Sequence, residues 1–537
     1  MKRVPVLFIL ALHASGQSSP LCPETTTGLE SFRLLNWATP EKHQIETMAG
    51  GVAVIDFDGD GLPDIFFTNG APQPSLKKTA ASANRLFRNK GRLQFEDVTA
   101  KAGLGGEGYS IGAAVADYDN DGHADIFVAG VKGNKLYRNR GNGTFEDVTV
   151  KAHIPATEWS VAAGWFDYDR DGKLDLLIIN YVKWDPAKEP FCGDKKAGYR
   201  SYCHPKFYEG LPNTLLHNNG DGTFTDVSHQ SGIAKHIGKG MGVAFADVDG
   251  DGWMDAFVTN DTTPNFLFRN KGDGTFEEIG LKAGVAMNDD GRALSSMGVD
   301  FRDIDNDGKP DAFVTALINE TYPLYKNLGN GLFLDVTYPS KIGTATLPWS
   351  GWSTGIFDFD NDGRKDIFVA NGDVQDNTEV YSSRKSRQAN AVLLNQAAGF
   401  VAVQTGTAAM HRGAAFADFE RNGKIGVIAT RLNETPVLYR NCANSGNHWL
   451  GLNLRGTVSN RDAIGAQIEI ETVSGRQWNE VTTSVGYASS SSRMVHFGLG
   501  LDKEVRRITI TWPSGIKQEL TAQPLDRYLE VVEPSRR

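Results

Sequence analysis

Six nine-residue segments of this chain place aspartate at positions 1, 3, 5 and 9 and glycine at position 6. Their carboxylates are Asp56, Asp58, Asp60 and Asp64; Asp117, Asp119, Asp121 and Asp125; and Asp167, Asp169, Asp171 and Asp175. The other three sets are Asp247, Asp249, Asp251 and Asp255; Asp303, Asp305, Asp307 and Asp311; and Asp358, Asp360, Asp362 and Asp366. Carboxylates packed this tightly repel one another, by about 4 kcal/mol for two unit charges ~4 Å apart at an effective dielectric near 20. A hard divalent cation removes that repulsion. Ca2+ takes about six to eight oxygen ligands in an irregular cage, whereas Mg2+ demands a stricter octahedron and keeps its waters. The glycine supplies the positive φ that lets such a loop wrap an ion. About six Ca2+ sites are therefore expected. A seventh copy, with Asp418, Glu420 and Asn422 and with Gly426 at position 9, has lost half its carboxylates and carries Arg421 and Lys424. It is expected to hold no ion.

The elements that must position these loops are strands. An EF-hand starts the same way but needs a glutamate at position 12 and flanking helices. Position 12 here is Phe67, Val128, Ile178, Val258, Val314 or Val369. Runs such as GVAVI and GVAFA precede the loops, and IFFT, IFVA and AFVT follow them. Each loop is thus a turn between two strands. Downstream comes a second repeated block, as in LFRNKGRLQFEDVT and LYRNRGNGTFEDVT, with tight-hairpin centres between alternating strands. Four antiparallel strands in a unit recurring every 50 to 80 residues read as a propeller blade. The expected fold is all-β, a seven-bladed β-propeller with Ca-binding A–B loops, followed by a small C-terminal β domain. Blade 7 lacks an FEDVT-like fourth strand, and 29–35 is the expected N-terminal replacement. That placement brings Cys22 near Cys442, and Cys192 pairs with Cys203 inside one insertion.

The repeats resemble the FG-GAP/VCBS repeats of integrin α-subunit propellers, whose similar Asp loops bind Ca2+. Further on, Asn460-Arg-Asp-Ala-Ile-Gly465, His496-Phe-Gly-Leu-Gly500 and Ile510-Thr-Trp512-Pro513-Ser-Gly515 resemble the ASPIC/UnbV domain. The order of the two parts resembles the cartilage acidic protein family and its bacterial relatives.

Met-Lys-Arg, an apolar run from Val4 to Leu12 and Ala14-Ser15-Gly16 read as an export leader at 1–16. The propeller then spans 17–445 and the C-terminal domain 446–537. Losing Lys2 and Arg3 would take the formal charge from −10 to −12. No basic stripe or membrane-length apolar run is present, so nucleic acid and a membrane span are not expected. Four cysteines suit an oxidising compartment, and a secreted or periplasmic protein is the expectation.

Catalytic patterns dissolve on inspection. Gly108-Tyr-Ser110-Ile-Gly112 and Gly351-Trp-Ser353-Thr-Gly355 match a nucleophile elbow, yet both lead into strand A of their repeats. His236, His411 and His448 stand alone, and no catalytic residue is expected. The ion loops fall on one face and the long B–C connections on the other. There Trp159, Trp184, Tyr199, Tyr202, Trp349 and Trp352 are the candidate ligand residues for an extracellular protein or glycan. Two functions follow: a calcium-stabilised protein or matrix interaction module, or a glycan-binding propeller allied to a polysaccharide-active enzyme.

Overall fold

A computed structural model describes residues 18–535; the expected leader at 1–16 lies outside the described residues. Seven four-stranded antiparallel sheets make up most of the chain. Blade 1 uses Val52–Ile55, Asp64–Phe67, Arg85–Asn89 and Phe95–Asp97, and blade 2 repeats the pattern from Tyr109–Ala116 to Phe145–Asp147. Blades 3 to 6 begin at Ser160–Phe166, Gly240–Ala246, Val299–Arg302 and Gly351–Phe357. Blade 7 contains His411–Ala417, Gly426–Arg431 and Val437–Asn441. These first strands lie side by side in chain order, and the seventh lies against the first, which closes the ring. They are buried, save Phe357 at the end of the sixth, and most carry glycine or alanine because they converge on a narrow axis. A Cβ on Gly112 would sit 2.2 Å from the carbonyl oxygen of Val161 in the next blade.

One asparagine per blade ties the ring together. Asn89 Nδ2 donates to the carbonyl of Phe419 in blade 7, and Asn139 Nδ2 donates to that of Phe57 in blade 1. Asn218, Asn270, Asn327, Asn395 and Asn441 repeat the link to Tyr118, Tyr168, Val248, Ile304 and Phe359. The acceptor is always position 2 of the preceding acidic loop. Each loop is therefore a splice between blades as well as a turn.

The strand that completes blade 7 is Leu21–Pro23, not 29–35. Cys22 stands opposite Arg440, and Cys22 and Cys442 are disulfide-bonded. Residues 29–31 form a 3-10 turn instead. The apolar pattern there has another purpose: Leu29, Phe32 and Leu34 are buried in the core around blade 1.

The C-terminal residues form two further sheets. One orders Val495–Gly500, His448–Arg455 and Tyr528–Val532; the other orders Arg476–Glu480, Gln467–Glu471, Val505–Thr511 and Lys517–Gln523. Period-two alternation buries Ile468, Ile470, Ile508 and Ile510 between them. This unit is seated on the acidic-loop face. Asp117 donates its main-chain N–H to Asp462, Arg170 Nε donates to Pro513 O, Gly500 N donates to Asn361 O, and Tyr528 Oη donates to Asp418.

From that seat, 482–491 runs into the axial channel and is buried throughout. Gly486 exchanges main-chain hydrogen bonds with Val299, Ala113 N donates to Ala488 O, and Ser490 exchanges bonds with Val52 and Val54. Tyr487 packs edge-on against Trp352, 5.0 Å between centroids, and its hydroxyl donates to Met48 O at 2.7 Å. Met48 belongs to an N-terminal stretch that closes the opposite mouth, where the 3-10 turn Gln44–Thr47 is buried. Both ends of the channel are stoppered by the chain's own outer segments.

Candidate functional site

The acidic loops sit where strands A and B meet, and strand pairing fixes their ends. Position 9 begins strand B and spends both oxygens on main-chain donors. Asp64 accepts from Phe57 N at 3.1 Å and from Asn89 N at 2.7 Å, and the other five loops repeat this pair. Position 1 accepts from the N–H of the position-6 glycine, as Asp117 does from Gly122 at 2.8 Å. Its other oxygen accepts from the position-5 N–H in blades 3 to 6, whereas Asp56 Oδ1, Asp117 Oδ1 and, in the seventh loop, Asp418 Oδ1 are buried without a hydrogen-bond partner. Buried polar atoms are ordinarily satisfied, and a cation would fit the oxygens of Asp56 and Asp117, whose loops keep all four carboxylates.

In several loops, carboxylate oxygens of three residues lie within 4.8 Å of one another; Asp56, Asp58 and Asp64 form one set, and Asp117, Asp119 and Asp125 another. These sets offer carboxylate oxygens, and in blade 3 His217 joins Asp169 and Asp171. The electrostatics agree. Burial, reinforced by neighbouring carboxylates, pushes Asp64 up to about 8, Asp167 to about 8, and Asp311 to about 7. Burial likewise pushes Asp358 and Asp366 far above the ordinary range. A bound cation would reverse that cost.

Strand C contributes a partial counter-charge. Arg88 lies 2.6 Å from Asp58 and 2.9 Å from Asp60. Arg138 pairs with Asp119 and Asp121, and Lys326 with Asp305 and Asp307. Blade 6 has Leu394 in that place, so its buried Asp358 and Asp366 face no strand-C base. In the seventh loop Arg421 Nη1 donates to Gly61 O and Lys424 Nζ to Ala443 O, which turns that loop into a clasp.

On the opposite face, the six aromatic candidates fare unequally. Trp159, Trp184, Tyr202 and Trp352 are buried, which corrects their placement as open ligand residues. Trp159 packs edge-on against Tyr181 and Trp184. Trp352 lies under the Arg412 guanidinium at 3.8 Å and donates to Gly372 O. Tyr202 donates to Glu46, inside the N-terminal stopper. Tyr199 and Trp349 are half-buried. Period and spacing could not separate these rings from exposed ones, because a connection that crosses the channel mouth buries its aromatics as a core strand does.

Phe191, Phe207 and Tyr381 face solvent, each about half exposed, as does Tyr338 after the last strand of blade 5. The first two lie in the blade 3 insertion, which Cys192–Cys203 cross-links. That insertion reaches blade 6: Tyr202 and Gln375 exchange two hydrogen bonds of 2.9 Å, and Asn377 Nδ2 donates to Arg200 O at 2.9 Å. Tyr199 stands edge-on to Tyr381 at 5.5 Å. Beneath, Glu189 accepts from Trp184 and Tyr208 and lies 3.0 Å from His43. The result is a braced ridge across the channel mouth.

Comparison with known families decides the membership. The FG-GAP-like repeat model matches 56–128, 117–178, 208–258, 247–314 and 303–369, more than half of the chain. The chain belongs to the FG-GAP-like repeat family. Residues 456–537 match the ASPIC and UnbV model, so this FG-GAP propeller carries that domain on its loop face. Cartilage acidic protein 1 of Homo sapiens is 27% identical over 329 residues, 58% of this chain and 46% of the relative. Its Xenopus tropicalis counterpart is 28% identical over 307 residues, 54% of this chain and 44% of the relative. The chain thus spans about half the length of the curated relatives it matches. Among solved structures, an Agrocybe aegerita lectin that recognises non-reducing terminal N-acetylglucosamine is 19% identical, with a TM-score of 0.37, over 72% of this chain and 86% of the lectin. YCF48 bound to D1 peptide is 8% identical, with a TM-score of 0.41, over 80% of this chain and 97% of that one. No helix among the described residues is long and apolar enough to cross a membrane.

Proposed function

We propose that this FG-GAP propeller is an exported, calcium-stapled interaction module that presents the ridge of blades 3 and 6 to a protein partner. The observation that carries the reading is the ridge itself. Phe191, Phe207 and Tyr381 project from segments held by a disulfide, by side-chain-to-backbone bonds and by a buried acid network. Exposed rings on a pre-ordered support are the usual anchors of protein interfaces, since little entropy is lost on docking. Calcium belongs to the opposite, loop face. There Asp56, Asp117 and their equivalents would hold the ions, which neutralise the loops and stiffen the splices between blades.

The test is capture of extracellular or matrix proteins by the parent protein and by Phe191→Ala, Phe207→Ala and Tyr381→Ala variants. Each exposed truncation is expected to leave the melting temperature unchanged and to weaken capture of a specific partner by about tenfold or more. A partner retained equally by all three variants would rule out the ridge. Binding of neutral glycans in place of any protein would favour the lectin-like alternative.

A further inference from the structure

A cleft of about 540 Å3 opens on the loop face, between the acidic loops of blades 1 and 2 and the C-terminal domain. Its walls mix charges in an unusual way. Four arginines, Arg421, Arg455, Arg461 and Arg493, converge on it with five carboxylates: Asp56 and Asp60 of the first loop, Asp117 of the second, Asp462, which Arg493 pairs, and Glu530, which Asn453 engages. Two of the four are committed to structure. Arg421 donates to Gly61 O at 2.8 Å, and Arg493 donates to Leu454 O at 2.7 Å while pairing with Asp462.

The other two are not. Arg455 is exposed and has no side-chain partner among the described residues. Arg461 reaches only to 3.7 Å from Asp117 Oδ2, the oxygen that Gly122 N already occupies. Facing these unused donors are unused acceptors. Asn453 Oδ1 is buried without a partner while its Nδ2 donates to Glu530, and Asp117 Oδ1 is likewise unpartnered. Thr483, Ser491 and Ser492 add hydroxyls from the two stalks of the channel plug.

We propose that this cleft binds a short acidic sugar, with the acid group on Arg455 and Arg461 and a ring hydroxyl donating to Asn453 Oδ1. A guanidinium fork suits a planar carboxylate or a sulfate, and an unsatisfied amide oxygen suits a hydroxyl. The volume fits one or two sugar rings, within the ~300–1,000 Å3 of small-molecule sites. The inference rests on the calcium reading at one point. An ion on Asp117 would satisfy its free oxygen, weaken the pull on Arg461 and leave that fork to the ligand.

The experiment is calorimetric titration of the full chain in calcium with a uronate disaccharide, a sulfated disaccharide, a neutral disaccharide and sodium sulfate. Calcium content is measured on the same samples. One acidic disaccharide per chain is expected, with Arg455→Gln and Arg461→Gln each weakening it about tenfold or more and Lys188→Gln, on the other face, leaving it unchanged. Preference between the uronate and the sulfated sugar identifies the acid group. The proposal is overturned if calcium-loaded protein binds neither acidic sugar, if Arg455→Gln binds as the parent does, or if free sulfate or the neutral sugar binds equally well. Sugar binding by a chain that holds no calcium would support the cleft and overturn the calcium reading alone.

Discussion

The channel plug should lock the C-terminal domain and the propeller into one melting unit, and Tyr487→Ala measures the lock. The ring is fully buried against Trp352, Met48 and the inner strands. Truncating a buried aromatic costs about 3–5 kcal/mol, and the carbonyl of Met48 would lose the Tyr487 hydroxyl for about 1 kcal/mol more. Unfolding entropy near 2.1 cal/mol/K per residue gives about 1.1 kcal/mol/K for this chain. The expected drop is therefore about 4–5 °C in a single calorimetric transition of calcium-loaded protein. Tyr487→Phe keeps the packing and should lose only about 1 °C. Gly486→Ala provides an independent check. Its φ is +83°, and an added Cβ would lie 2.2 Å from Ser353 Oγ and 2.8 Å from Thr354 O, so expulsion of the plug is expected. Tyr487→Ala and Gly486→Ala proteins that melt within 1 °C of the parent would refute the lock, as would a propeller transition that stays in place while a separate, smaller one moves.

Chelation should lower the melting temperature of the whole chain, and metal analysis should find about six Ca2+, one fewer in Asp358→Ala and none assignable to the seventh loop; an EDTA-indifferent melt would sink the staple. Among the complete loops, that of blade 6 should depend most on its ion, since Leu394 replaces the strand-C base. Cys22→Ser should cost about 2–5 kcal/mol because the bond spans 420 residues, whereas Cys192→Ser opens a span of 11 and should chiefly loosen the ridge; equal thermal losses would contradict this. Glu480 is buried beside Arg302, Asp300 and Asp247, and burial raises its carboxyl from 4.5 to about 8. A raised folded value means the native state holds the proton longer, so stability from this group falls as pH climbs from about 4.5 through about 8. Glu480→Gln should therefore gain on the parent between pH 5 and 8.5 in denaturant midpoints; a pH-independent difference would exclude the effect.

What the sequence displays is periodic, and what it conceals is singular. The acidic loops, the hairpin blocks and the asparagine that follows each strand-C base are repeated, so their spacing reports a physical role. Even the asparagine could have been read further: an Asn at one place in every unit is a link to the neighbouring unit. The segment 29–35 precedes blade 1 and has no partner in the repeat pattern, yet Leu21–Pro23 completes blade 7, with Cys22 opposite Arg440 and bonded to Cys442. Trp159, Trp184 and Trp352 are buried because their connections cross the channel mouth, and composition cannot say what lies above a connection.

The plug had no periodic signal at all. Thr482 to Ser491 are mostly small and polar, the composition of an exposed loop, yet they are buried because inner strands leave their edge N–H and C=O groups facing the channel. A segment that enters there must offer main-chain partners and almost no side-chain bulk, save one ring long enough to reach the far stopper. That requirement gives the acidic loops a second structural burden. They hold neighbouring blades through position 2 and also form the floor on which the C-terminal domain sits, so neutralising them should govern the plug as well as the ring. Chelation and Tyr487→Ala should consequently be less than additive. Once either has unseated the domain, the other has little coupling left to remove.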